Sequence, residues 1–323
     1  MINPEYTVKE IETKFYNYLE KKIGKFTIDE NFTQIEGGFE AYLYKFKISG
    51  IKEYNKRLVL RLFPKYSHPE TASWQEMLHN LLREEDLPVP KIYLSCSDQS
   101  ILGGSFLVME FIEGETIDPI EDPSVLNLTA KTQAKLHLKD GRNISEKIRA
   151  HGHSAESHNF DGRINWLIEK ANKYSGFDEV VRWLVDNRPS EPIIPRIIHG
   201  DFHPMNLLVK DGEVAAILDW SGFMVGDPMY GLGWTKALFI AVVKPELPED
   251  VFNNLIQLYS EAYESTHPID YDKLDYFVVY RLVRALIEGK EGQEVWARPV
   301  IVSNIIEEIK DMIGIEIKDE FRD

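Results

Sequence analysis

Val8, Ile11, Phe15 and Leu19 recur at three- and four-residue intervals, so residues 7–23 read as an opening amphipathic helix. The period then changes. Phe26 to Ile35, Tyr42 to Ile48 and Arg57 to Phe63 read as strands, with Gly37-Gly38 between the first two. A helix over 69–85 turns Trp74, Met77, Leu78, Leu81 and Leu82 inward, and Leu87-Pro88-Val89-Pro90 stops it. Two further strands fall near Lys91–Ser95 and Ile101–Glu110. After Gly114 the pattern is mostly helical, near 124–139, 163–174, 177–187, 228–243, 249–266, 271–289 and 299–313. The exception is a β-rich stretch from Ile197 to Asp219. The expected architecture is α+β and two-lobed: residues 1–112 form an N-terminal lobe on a small antiparallel sheet, and residues 113–323 a larger helical lobe.

Composition narrows the field. A chain of 323 residues suits two packed lobes, and 43% hydrophobic with 28% charged residues describes an ordinary globular protein. The single cysteine, Cys96, excludes an intrachain disulfide and fits a cytoplasmic setting. No apolar run approaches the roughly 20 residues that span a bilayer, and the N-terminus lacks the apolar stretch of a secretory signal. The formal charge of −16 argues against a nucleic-acid partner, which needs a basic footprint. Neither nucleic acid nor membrane is expected as a partner, and the chain is expected as a monomer or homodimer.

The densest chemistry lies in Ile197-Ile198-His199-Gly200-Asp201-Phe202-His203-Pro204-Met205-Asn206-Leu207-Leu208-Val209. Apolar runs flank a polar loop, and such a loop is costly unless its groups are paired or at work. Asp201 and Asn206 stand five residues apart, the Asp-x-x-x-x-Asn spacing of kinase-type phosphoryl transfer. There the Asp accepts the proton of the attacking hydroxyl and the Asn reaches a Mg²⁺ on the triphosphate. A second metal ligand should end a neighbouring strand. Val214-Ala215-Ala216-Ile217-Leu218-Asp219-Trp220 supplies it in Asp219, with Asp211-Gly212 as the hairpin turn.

HGDFHPMN followed by ILDWSGFMVGDP resembles the aminoglycoside phosphotransferase and choline kinase family, whose fold is similar to that of eukaryotic protein kinases. The resemblance runs from about Ile35 to about Leu238. It implies Asp201 as catalytic base, Asn206 and Asp219 as Mg²⁺ ligands, and His199 as a buttress of the loop. It also implies ATP or GTP as phosphoryl donor and a small-molecule hydroxyl as acceptor.

Other parts of a kinase-like site have candidates. Arg61 puts a cation in the apolar strand Leu58–Phe63, where it can fork onto phosphate oxygens. Glu76, on the following helix, is the candidate carboxylate partner of Arg61. Gly37 and Gly38 stand where a phosphate-covering loop belongs. The backbone around Glu110 and Ile112 resembles the family's adenine-binding hinge. Gly226-Asp227-Pro228 resembles a family segment, but Gly231-Leu232-Gly233 replaces the usual Asp-Leu-Ala, so Asp227 reads as a helix cap. His151, His153 and His158 fit no zinc spacing.

Two other functions compete. His199, Asp201 and His203 at alternate positions suit a metal-dependent hydrolase if that segment is extended, although Gly200 and Pro204 argue for a bend. A non-catalytic binding module on a kinase scaffold is the other. The acceptor is unread: Asp270, Asp272, Asp275 and Glu288 either meet ammonium groups or are solvated helix faces. Tyr263, Tyr271, Tyr276 and Tyr280 either line an apolar pocket or pack the lobe.

Overall fold

A computed structural model describes residues 6–35, 41–119 and 122–317. It divides into two compact units, Met1–Glu115 with Leu208–Leu218, and Thr116–Leu207 with Asp219–Asp323.

The first unit opens with α1 (Val8–Ile23), started by a capping box in which Thr7 and Glu10 satisfy each other's backbone N–H groups. Its described residues build an antiparallel sheet from β1 (Thr27–Ile35), β2 (Tyr42–Ser49), β3 (Arg57–Leu62), β4 (Ile92–Cys96) and β5 (Phe106–Glu110), in the order β1-β2-β3-β5-β4. Period-two alternation sends the two faces of this sheet to different helices. Tyr44, Phe46, Leu58, Leu60, Phe106 and Val108 pack on Ile11, Phe15 and Leu19 of α1. The opposite face carries Ala41, Phe63, Ile92 and Leu107 against Ala72 of α2 (Thr71–Glu84). The inward stripe of α2 differs from expectation: Gln75 and His79 are buried on it, and Trp74 and Met77 are only half-buried. His79 Nδ1 lies 3.2 Å from the Pro90 carbonyl, so a polar residue there gains a partner that an apolar one lacks.

The hairpin β7 (Leu207–Lys210) and β8 (Glu213–Ile217) groups largely with this first unit, not with the helices around it in sequence. Its two-residue turn has Asp211 and Gly212 both at positive φ, as a tight hairpin requires. Glu115 and Val209 exchange backbone bonds of 2.9 and 2.8 Å, and Ile217 N–H donates to the Pro88 carbonyl at 2.7 Å.

The second unit is helical: α3 (Ser124–Leu136), α4 (Arg142–Ala150), α5 (Phe160–Ala171), α6 (Asp178–Asp186), α7 (Pro228–Leu238), α8 (Glu249–Glu264), α9 (Tyr271–Lys290) and α10 (Pro299–Ile313). The core gathers on α9, buried on nearly every side from Leu274 to Gly289. A short pair, β6 (Arg196–Ile198) with β9 (Met224–Gly226), brings residues 199 and 222–223 alongside each other. Among the described residues no helix is long and apolar enough to cross a membrane.

Candidate active site

The loop that leaves β6 is pinned from below. His199 is 1% exposed, its ring 4.7 Å from Trp220 and edge-on to Phe202 at 5.6 Å. Its Nδ1 accepts the Asp201 backbone N–H at 3.3 Å. Gly200 follows with φ +79°, and a Cβ there would stand 2.0 Å from the Gly222 carbonyl oxygen. Both the conformation and the close approach demand glycine. Gly200→Ala is therefore expected to cost about 3 kcal/mol or more, or to displace the loop. Thermal unfolding of that variant within a degree or two of wild type would contradict this packing.

Asp201 emerges with its side chain 37% exposed. The Trp234 indole N–H donates to Oδ1 at 3.2 Å, and Oδ2 lies 3.7 Å from His203 Nε2. The loop closes through Asn206, whose Nδ2 donates to the Asp201 carbonyl at 2.9 Å and lies 3.1 Å from His203 Nε2. With its N–H₂ group turned to that carbonyl, Asn206 presents Oδ1 as its remaining polar atom. Phe202, 1% exposed, anchors the middle, and its carbonyl accepts the Thr235 hydroxyl at 2.7 Å.

Burial pushes the Asp201 carboxyl pKa up. The neighbouring imidazoles of His203 and His199 and the Trp234 bond outweigh it, bringing the pKa from 3.8 to about 2. Because the folded value lies below the unfolded one, Asp201 stabilises the fold above about pH 4, and that stability is lost as pH falls through about 2. The carboxylate is thus fully charged at neutral pH. The kcat/KM profile should carry no acid limb from this group between about pH 5 and 8. An acid limb in that range, with a substrate that does not titrate there, would contradict the assignment.

Asp219 follows β8 with φ 52° and ψ 73°, a left-handed conformation uncommon for a residue with a side chain. Aspartate tolerates it better than most. Its Oδ1 is shielded from solvent, and the next residue, Trp220, is 1% exposed. Arg163 holds the following turn, donating from Nη2 to the Phe223 carbonyl at 3.0 Å. Asp201, Asn206 and Asp219 all belong to the second unit, Asp201 and Asn206 tied directly across one loop.

Arg61 lies on β3 opposite Leu43 and Leu107, half-buried, with its guanidinium 5.1 Å from the Phe63 ring centre. Glu76 accepts a 2.5 Å hydrogen bond from Ser95 on β4, two strands from Arg61 in the sheet order. The Glu110 carboxylate pairs with Lys56 at 3.5 Å and faces an open cleft of about 430 Å³ lined by Lys52, Arg83, Lys91 and Tyr93. The Glu110 backbone N–H donates to the Lys91 carbonyl, and Ile112 is half-buried. Gly37 and Gly38 lie outside the described residues.

Several side chains turn out to be structural. Asp227 caps α7 through the Met229 N–H at 2.9 Å and pairs with Lys273 at 2.8 Å. Gly231 sits where a Cβ would come 2.6 Å from His137 Nε2, so no aspartate side chain fits there. His158 is buried between the hydroxyls of Ser145 and Ser157, at 2.8 and 3.0 Å. Burial lowers its pKa to about 4. Asp270 caps α9, Asp275 pairs with Lys236 at 3.5 Å, and Glu288 is held by Arg281 at 3.2 Å and Arg284 at 2.7 Å. Tyr263, Tyr276 and Tyr280 are buried and bond His137, the Leu184 carbonyl and the Arg163 carbonyl; Tyr271 is 51% exposed.

The hydrolase geometry does not form. Gly200 bends the segment, and His199 turns into the core away from any shared ligand position with Asp201 and His203. Among the described residues no group of three or more His, Cys, Asp or Glu side chains is placed to hold a metal. Trp234 and Arg163 carry no local signal in the sequence, because their contacts with the loop and its neighbouring turn span 33 and 60 residues.

A small antiparallel sheet with flanking helices, a helical unit and an Asp…Asn loop ahead of a hairpin-terminal Asp define the two-lobed kinase-like α+β class. The phosphotransferase enzyme family model matches residues 31–277, and the chain belongs to that family. Macrolide 2'-phosphotransferase MphH from Brachybacterium faecium superposes with a TM-score of 0.57 at 16% identity, over 92% of this chain and 98% of that one. A thermostable mutant of aminoglycoside phosphotransferase APH(4)-Ia, in ternary complex with AMP-PNP and hygromycin B, gives 0.55 at 17% identity, over 90% and 97%. Among curated proteins, acyl-CoA dehydrogenase family member 11 of Gallus gallus is 29% identical over 168 residues, 47% of this chain and 21% of that protein. The chain spans about a fifth to a quarter of the length of such relatives.

Proposed function

We infer that this protein transfers the γ-phosphoryl group of ATP or GTP, bound with Mg²⁺, to a hydroxyl of a small molecule. The observation that carries the reading is the placement of Asp201: its Oδ1 fixed by the Trp234 indole, its backbone carbonyl tied to Asn206, and its side chain 37% exposed.

In this reading Oδ2 orients the acceptor hydroxyl and takes its proton as the new O–P bond forms and the bond from Pγ to the β-phosphate oxygen breaks. The nucleoside diphosphate leaves. A carboxylate with a pKa near 2 is a weak proton acceptor, so its main work is orientation; the loose transition state of phosphoryl transfer asks little more. Asn206 Oδ1 and the Asp219 carboxylate are hard oxygen donors, which fits Mg²⁺, a cation that takes few protein ligands and fills its shell with water and phosphate. When bound, it neutralises phosphate charge. Arg61 on its strand contributes a cation for the phosphates. The Glu110–Ile112 segment contributes backbone to the base of the nucleotide. Glu76, bonded to Ser95, acts on the sheet and is not needed as a direct ligand.

The acceptor is narrowed by charge. At α9 Glu288 is held by Arg281 and Arg284, Asp270 caps the helix and Asp275 pairs with Lys236 at the surface, which leaves exposed Asp272. That disfavours a polycationic acceptor. Diphosphate release with Mg²⁺ should be measured over aminoglycosides, macrolides, amino alcohols, sugars and hydroxyacyl thioesters, the last because relatives are named acyl-CoA dehydrogenases. Release is expected with a neutral or anionic alcohol and not with aminoglycosides. Efficient turnover of an aminoglycoside would overturn the acceptor reading and leave the kinase reading standing.

A further inference from the structure

The indole that touches Asp201 is itself held by a costly arrangement. Trp234 sits on α7, 8% exposed, and its Nε1–H is the donor to Asp201 Oδ1. The Arg281 guanidinium carbon lies 3.9 Å from the Trp234 ring centre and 4.5 Å from that of Trp296, within stacking reach of both. Arg281 is 4% exposed. Its Nε and Nη1 are buried without an aligned hydrogen-bond acceptor, although Nη1 is 3.2 Å from Glu288. Burying a guanidinium so poorly satisfied is expensive. Arg284 engages the other Glu288 oxygen at 2.7 Å and lies 5.2 Å from the Trp234 ring. The arginine is thus placed by rings and charge more than by hydrogen bonds. A cation over an indole face is attracted to the ring, and it polarises the N–H toward an acceptor.

We propose that Trp234 is a positioning residue for the transfer, fixing Asp201 Oδ1 so that Oδ2 meets the acceptor, and that Arg281 acts through Trp234 by holding the indole in place. This rests on Asp201 being the base. The hydrogen bond also favours the ionised carboxylate, in keeping with its lowered pKa. Arg281 touches neither acceptor nor nucleotide in this account.

Trp234→Phe keeps a ring for Arg281 and deletes the donor. Arg281→Lys keeps the charge and loses the planar stack. Turnover should be measured with the acceptor found above, or with water as acceptor where no organic one is used. The expected result is a fall in kcat of about tenfold in Trp234→Phe, the size of one charge-assisted hydrogen bond, with KM for MgATP unchanged. Arg281→Lys should also lower kcat, and the double variant should fall no further than Trp234→Phe, because the two act in series. A second readout does not depend on turnover. Of the six tryptophan indole N–H resonances, the one missing in Trp234→Phe should shift when Asp201 is replaced by Asn. Wild-type kcat in Trp234→Phe, multiplying effects in the double variant, or an indole resonance indifferent to Asp201→Asn each overturns the proposal. If Trp234→Phe does not fold, Arg281→Lys decides: a lowered kcat with unchanged KM for MgATP supports the proposal, and a wild-type kcat overturns it. Normal turnover in Asp201→Asn sinks the base assignment; an inactive Asp201→Asn beside a normal Trp234→Phe sinks only the positioning role.

Discussion

Asp201→Asn is expected to lower kcat by at least about 10²-fold while leaving nucleotide affinity nearly intact. The substitution is isosteric, so the indole of Trp234 and the backbone tie to Asn206 can persist. What is lost is a charged oxygen that can orient a hydroxyl and accept its proton. The nucleotide contacts in this account come from Arg61, the Glu110–Ile112 backbone and the metal ligands, none of which the change touches. Single-turnover phosphoryl transfer with a parallel nucleotide titration separates the two effects. A variant with near-normal kcat would remove Asp201 from the chemistry; a large loss of nucleotide binding would mean that it serves the donor instead.

Asp219→Asn is expected to act on binding. Asparagine tolerates the left-handed backbone that Asp219 adopts, so the turn into Trp220 should survive. The negative charge that attracts a divalent cation does not. Apparent affinity for the Mg²⁺–nucleotide complex should fall by at least about tenfold, by analogy with losses at metal-site ligands, and excess Mg²⁺ should recover part of it. Unchanged affinity at limiting Mg²⁺ would exclude Asp219 as a ligand.

The contrast between these variants follows from features that the sequence displayed openly. The His199–Val209 segment was legible because a polar burst between apolar runs has few structural explanations. The hairpin was legible because Asp211-Gly212 has local turn chemistry. Strand β2 was legible because its alternation is strict, and β3 and β5 because each carries a short apolar run. What escaped was either weakly periodic or non-local. Helix α4 buries only Ile144 and Ile148, too little apolar pattern to announce nine residues of helix. The Gln75 and His79 stripe on α2 reads as polar surface until the Pro90 carbonyl appears beside it. Glu288 looks like a free carboxylate until Arg281 and Arg284 close on it from its own helix. Trp234 had no signal at all in its neighbours, because its partner at Asp201 is set by tertiary packing. The Ser95 hydroxyl on Glu76 also escaped, because it joins residues 19 apart on different elements.

The central claim is that a phosphoryl group moves from a nucleotide to an alcohol. Its most direct test is ³¹P NMR of the protein with MgATP and the acceptor panel, with Asp201→Asn as control. The account predicts a new phosphomonoester resonance that grows as the γ-phosphate resonance declines and that is absent in the control. Metal-dependent cleavage of simple esters without any nucleotide, and no phosphomonoester with it, would contradict the account.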